Sequence, residues 1–323
     1  MNGRQILKRC LTAALQLLGI SLMTFFIIQL SPGSFFDTLR LDPQISQETI
    51  ARYERLYHID QPLWKQYFHW LGNALKGDFG YSFFYNVPVS GIIASRLWNT
   101  FILSLTAFLF TWGVAIPLGV WAAVNRNRLT DRIIQLCSYV ALSTPSFFLA
   151  ILLLFFFSRT GHIPLGGMHA AEYDQLSWPA RAIDLAKHLI VPTLAISVGS
   201  IGALQRIMRG NMLEVLGQQY ILAARAKGLP ERRVVYHHAL RNAINPLITL
   251  LGYEFAGLLS GAALVEIFCS WPGLGSLLLT AVRSKDLYLV MASTMMGGVL
   301  LLLGNLLADV LLPLADPRIR HGR

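Results

Sequence analysis

Cysteine is scarce: three residues in 323, Cys10, Cys137 and Cys269, far apart and none in a C-x-x-C pair. That excludes a disulfide framework and a zinc site and leaves apolar filler as the role of the thiols. Charge is scarce as well, at 14% of residues, against about 25% in an average soluble domain. No phosphate-binding loop is present. The nearest run, Gly72 to Asp78, lacks the Lys-Ser/Thr step that would hold phosphates and magnesium. His237 and His238 are adjacent, so on a helix they point about 100° apart and do not share a metal the way an i, i+4 pair does. Basic residues interleaved with aromatics, the pattern of a nucleic-acid surface, are also missing. The sequence therefore offers no catalytic, cofactor or metal site, and no internal repeat of the kind secondary transporters carry.

What the sequence has is apolar side chain, 54% of residues with a positive mean hydropathy, more than one soluble core can hide. Six stretches, roughly 11–30, 99–124, 133–157, 189–208, 244–268 and 288–312, approach or exceed the ~20 apolar residues that a membrane-crossing helix needs. An all-α, polytopic membrane protein with six transmembrane helices is the predicted fold class. The first stretch is too long for a signal peptide and has no small-x-small cleavage site, so it reads as an anchor. The fourth is the weakest, because Gln205, Arg206 and Arg209 end it early, but Ser197, Gly199, Ser200 and Gly202 suit a helix buried among others. Pro117 and Pro145 are kink positions within spans.

In this topology sixteen basic residues fall on the side of the termini and eleven on the other, where acids make the loops almost neutral. The basic excess places both termini in the cytoplasm. On the external side the 32–98 loop is too long for a hairpin and holds an amphipathic run. Its Trp64, Tyr67, Phe68 and Trp70 read as an aromatic belt at the headgroups or as a contact with an extracytoplasmic protein. Glu254 and Asp309 are acids inside spans. The first reads as pathway lining or a helix–helix hydrogen bond, the second as an interfacial structural partner, and both must face protein or a water-filled cavity. "SWPGLG", 270–275, predicts a tight non-helical turn covered by protein, within a helix-turn element over 266–286.

The internal 209–243 loop holds "AARAKGLPERR". "MLEVLGQQYILAARAKG" has helical periodicity, with Leu213, Leu216, Tyr220, Ala223 and Ala224 on one face. Gly228 supplies a left-handed stop, Pro230 prevents continuation, and "ERRVVYHHALRNA" resumes a helix. Small side chains at Ala223, Ala224 and Ala226, ringed by Arg225, Lys227, Arg232 and Arg233, predict a docking surface for another protein.

That peptide, followed by "HALRNAINP", resembles the coupling loop of permease subunits in ABC importers, in the form found in the dipeptide/oligopeptide/nickel family. Leu222 replaces an acid frequent in that motif and Arg241 a proline. "FFIIQLSPG", "YHIDQPLWKQYFHWLGNALKGDFGYSF", "VEIFCSWPGLGSLLLTAVRSKD" and "LADVLLPLADPRIR" extend the resemblance over nearly the whole chain. The long first external loop is similar to that of the B-type member of a heterodimeric pair.

The resemblance implies a type I ABC importer permease fold in the bacterial inner membrane, without enzymatic activity or cofactor of its own. It implies, as partners, a homologous C-type permease, two cytoplasmic ABC ATPase subunits and an extracytoplasmic substrate-binding protein. Its substrates would be peptides or a related solute such as nickel, a heme-like ligand or a sugar, moved inward by alternating access. Residues 215–230 would be the helix seated on one ATPase, with Tyr220, Ala223, Ala224, Arg225, Lys227 and Gly228 as the docking set. Glu254, Trp271, Pro272 and Gly273 would belong to the pathway or gate. The expected organisation is a helix and external loop over 1–98, a permease core over 99–313 and a cytoplasmic tail over 314–323. An ATP-independent secondary transporter is the alternative function, and ATP dependence of uptake separates the two.

Overall fold

The computed structural model describes residues 3–40, 46–57, 59–161, 163–248, 250, 251, 254, 257 and 262–315. Most of them are helical. The order is α1 (Gly3–Leu30), α2 (Phe35–Arg40), α3 (Gln47–Leu56), α4 (Leu63–Ala74), a hairpin of β1 (Tyr81–Ser82) and β2 (Val87–Pro88), α5 (Val89–Val124), α6 (Leu129–Ser143) and α7 (Ser146–Ser158). Then follow α8 (Trp178–Leu216), α9 (Gln219–Ala226), α10 (Glu231–Arg233), a π-helical turn Val234–Ala239, α11 (Leu240–Ala243), α12 (Ala263–Phe268), α13 (Leu274–Arg283) and α14 (Leu287–Ala315).

Among the described residues four stretches are long and apolar enough to cross a membrane: Leu11–Asp37, Val89–Val124, Trp178–Leu216 and Leu287–Leu306. The expected third span, 133–157, is not one kinked helix. It breaks into α6 and α7, bent by 104°. Thr144 takes an extended conformation (φ −97°, ψ 118°), as the ring of a following proline favours. The Ser143 and Thr144 hydroxyls bond back to the carbonyls of Tyr139 and Val140, at 2.9 and 2.8 Å. Pro117 and Pro192 lie inside continuous helices. The expected span 244–268 runs through residues outside the described set, as does the side chain of Asp309.

The chain forms two compact units, one of Met1–Asn99 with Pro272–Leu302, the other of Thr100–Trp271 with the chain from Leu303 on. In the first unit the described residues of the 32–98 segment are folded. Tyr67, Trp70 and Ala74, spaced by three and four along α4, share one face and pack on Phe25, Leu287 and Met291. The Tyr67 hydroxyl meets Ser21 Oγ at 2.9 Å in a buried hydrogen bond. Tyr67 and Trp70 therefore belong to a protein core, which corrects the belt reading for those two; Trp64 and Phe68, on the other face, are exposed.

The hairpin is tied to α14 by Asp286. This buried carboxylate accepts from Ser82 Oγ (2.6 Å), the Phe84 amide (3.0 Å) and, as helix cap, the Leu289 amide (3.2 Å). Burial pushes its carboxyl above the usual carboxylate range, against the lowering pull of those bonds.

In the second unit α5, α8, α9 and the 234–247 segment share a core that includes Ala115, Val120, Leu204, Met208 and Met212. Gly119 permits the closest approach: a Cβ there would lie 2.6 Å from Met208 Cβ and 2.9 Å from the Gln205 carbonyl. At Gly202 a Cβ would lie 2.8 Å from the Ser138 carbonyl. Small residues at such crossings let helix backbones pack closely in lipid.

Candidate functional site

The segment 209–243 is a short helical hairpin at the end of α8. Its helix is not the continuous one expected from Leu213 to Gly228. α8 ends at Leu216, Gly217 caps it, and Gln218 is extended (φ −73°, ψ 148°) before α9 begins. Gly217 keeps an ordinary φ of −84°, so the break carries no left-handed glycine to announce it. Leu213 and Leu216 consequently belong to a different helix from Tyr220.

α9 stops where glycine and proline predict. Gly228 is left-handed, φ +73°. Its amide bonds to the Arg225 carbonyl (2.9 Å) and the Leu229 amide to that of Ala224 (3.4 Å), the two bonds of a Schellman cap. Leu229 and Ala224 enter the same hydrophobic cluster, the apolar contact that accompanies the motif. Pro230, at φ −63° and ψ 139°, then opens α10.

Ile221 is wholly buried and Ala224 nearly so, both packed in the cluster of Met208, Met212, Val234, Val235, Ala239 and Ala243. Two side-chain bonds brace the hairpin, Asn211 Nδ2 to the Ala243 carbonyl at 3.2 Å and Asn242 Nδ2 to Tyr220 Oη at 2.9 Å. Arg225 grips Glu231 with two bonds, 2.6 and 3.1 Å. The guanidinium holds the Glu231 carboxyl below its usual range, and the carboxylate raises Arg225. Both groups are substantially exposed, so the pair contributes at most about 1 kcal/mol.

Of the predicted docking residues, Tyr220, Ala223, Arg225, Lys227 and Gly228 are exposed on one hairpin. Ala224 is the correction. It points into the core, because its place one turn from Ile221 and beside the cap puts it on the buried face. His237 and His238 stand with rings perpendicular at 5.1 Å.

The remaining predicted residues lie elsewhere. Glu254 is a helical, half-buried residue. Trp271 is fully buried with Val265, Cys269 and Leu103 in the second unit, its amide bonded to the Glu266 carbonyl at 2.8 Å. Pro272 and Gly273 begin the returning segment of the first unit, where Asn99 Nδ2 bonds the Pro272 carbonyl at 2.8 Å. Within the 270–275 turn expected, only Ser270 to Gly273 are non-helical, with Ser270 exposed at φ +51° and Trp271 and Gly273 buried.

Two charged arrangements escaped the sequence reading. Glu266 is fully buried and accepts from Thr100 Oγ1 at 2.6 Å; a lone acid in the apolar run "VEIF" was its signal. Asp131, buried, takes a bidentate grip from Arg209 (both 2.7 Å) and the Asn127 amide (3.0 Å), tying α6 to α8. Nothing in the spacing of residues 131 and 209 pointed to that pair.

Residues 115–321 match the family described as "Binding-protein-dependent transport system inner membrane component", and residues 3–106 match the N-terminal region of such components. The chain belongs to this family. The permease is 37% identical over 318 residues to the oligopeptide transport system permease protein AppB of Bacillus subtilis, covering 98% of this chain and 99% of that one. It is 36% identical to OppB of Haemophilus influenzae and 35% identical to the dipeptide permease DppB of Lactococcus lactis, with the same coverage. A solved structure of the MetNI methionine ABC transporter in inward-facing conformations has the same fold, with a TM-score of 0.55 at 17% identity over 70% of this chain and 96% of that one. The protein is thus an all-α, multi-pass inner-membrane permease subunit of a binding-protein-dependent transport system, and the secondary-transporter alternative is not supported.

Proposed function

We propose that the permease moves peptides inward across the membrane as one half of an ATP-driven pathway, with hydrolysis on separate ATPase subunits. Peptides are favoured because the relatives with near-complete coverage carry the names oligopeptide and dipeptide permease. A C-type permease completes the pathway, an external binding protein loads it, and the termini and the 209–243 hairpin face the cytoplasm. Glu254 lines the passage and the Trp271–Gly273 turn borders the external gate, within a 99–313 core flanked by the 1–98 anchor and loop and the 314–323 tail.

The observation that carries the coupling role is the division of labour on α9. Ile221 and Ala224 fix the helix to a buried core, while Tyr220, Ala223, Lys227 and Gly228 stay exposed on a rigid, capped hairpin. A helix anchored in this way transmits a push from an ATPase into α8 as a rigid body.

The test is an exposed, bulky replacement. Ala223→Trp adds volume where a partner backbone must approach and leaves the core untouched. The assembled complex should lose its ATPases while the permease itself folds; stoichiometric copurification of ATPase with this variant would remove the docking assignment.

A further inference from the structure

The first unit holds a cavity of about 360 Å³ that the transport reading does not use. Tyr57, Trp70, Tyr81 and Tyr288 wall it, with Asn73, His69 and Asp78 at its polar edge, and among the described residues no lysine or arginine lines it. Tyr57 and Tyr81 stack at 6.3 Å, and Tyr57 and Tyr288 meet edge-on at 6.5 Å, with the Tyr288 hydroxyl bonded to the Tyr57 carbonyl at 2.7 Å. Gly80, at φ +88°, brings its backbone so close that a Cβ would lie 3.0 Å from the Tyr288 ring. The walls are therefore held by packing.

Two groups are left with unused capacity. Asp78 accepts one bond, from the Gly80 amide at 2.9 Å to Oδ1, and makes no ion pair among the described residues. Trp70 is 3% exposed and its indole Nε1 has no hydrogen-bond partner among the described residues. A buried donor left unpaired costs roughly 1–3 kcal/mol, so the indole calls for an acceptor. Aromatic faces beside one carboxylate that no lysine or arginine offsets among the described residues favour a cation.

We propose that this cavity binds the amino-terminal end of a peptide, its ammonium against Asp78 and the tyrosine faces and its first carbonyl accepting from Trp70 Nε1. An α-ammonium and its neighbouring carbonyl are the cation and acceptor that the two unused groups require, side by side in one ligand. The volume lies at the low end of the roughly 300–1,000 Å³ of small-ligand sites, so the end of a chain fits and the rest of a longer peptide stays outside. The assignment rests on the peptide-import reading and adds a site on the permease itself.

Titration calorimetry on the full-length permease in lipid nanodiscs, without binding protein, tests it with dialanine and N-acetyl-dialanine. Dialanine should bind at least about tenfold more tightly than the acetylated form, which lacks the ammonium. Asp78→Asn, at an exposed position, should remove that preference, and Trp70→Phe should weaken both ligands by a similar factor. Equal binding of the two peptides, no binding of either, or an unchanged preference in Asp78→Asn overturns the proposal. ATP-dependent uptake by the assembled wild-type transporter is scored separately: uptake without nanodisc binding rejects the cavity alone, whereas absence of uptake rejects the import reading beneath it.

Discussion

Replacing Gly228 with alanine isolates one physical quantity, the left-handed backbone of the α9 cap. At φ +73° an L side chain is strained, and among the described residues no heavy atom beyond its chain neighbours lies within 4 Å of the position a Cβ would take. Steric crowding by neighbours therefore adds nothing, and the cost is that of the backbone alone, roughly 1–2 kcal/mol. A change of that size shifts a local opening equilibrium about 5–30-fold. Hydrogen exchange of the 221–234 amides in nanodisc-embedded permease should accelerate by that factor in Gly228→Ala. Gly228→Asn should fall between wild type and alanine, because asparagine tolerates the left-handed region better. ATPase retention in the assembled complex should fall in the same order. Exchange as slow in Gly228→Ala as in wild type, or as fast in Asn as in Ala, would refute the cap as the element that holds the hairpin.

Gly119→Ala should destabilise the second unit by about 1–3 kcal/mol through the clash with Met208 and the Gln205 carbonyl, read as a lower thermal midpoint in detergent; an unchanged midpoint would mean the crossing can open freely. Ile221→Ala should cost about 2–5 kcal/mol of local stability, seen as exchange of the hairpin amides without loss of the membrane helices. Asp286 titrates with a sign set by burial: its folded carboxyl binds a proton at higher pH than the unfolded one, so stability falls as pH rises from the ordinary carboxylate value through the raised one. In Asp286→Asn that contribution should be lost, so stability should fall less, or rise more, with pH across this window than in wild type. A cysteine at Asn73 should react with an impermeant thiol reagent from outside and one at Gln219 should not; the reverse pattern would invert the topology.

The long apolar stretches were legible in the sequence because lipid demands length and composition, and Gly228 with Pro230 announced the end of α9 because both residues restrict the backbone. The split between Leu216 and Gln219 was not, since Gly217 adopts an ordinary helical angle. Periodicity contained the fact that Tyr67, Trp70 and Ala74 share one face of α4 and Trp64 and Phe68 another, but not which face meets protein. Ala224 failed for the same reason: small residues suit both a docking surface and a tight core, and only the packing of Ile221 beside it decides. Asp286 with Ser82, and Asp131 with Arg209, depend on tertiary proximity across long separations, which no local pattern encodes.

Peptide uptake into proteoliposomes containing the permease, a C-type partner, both ATPases and the binding protein tests the central claim most directly. Labelled peptide should accumulate with ATP and with all components present, and not with a non-hydrolysable nucleotide. It should also fail when the second permease is omitted or when Ala223→Trp replaces the wild-type chain. Accumulation driven by an ion gradient in the absence of ATP would contradict the account.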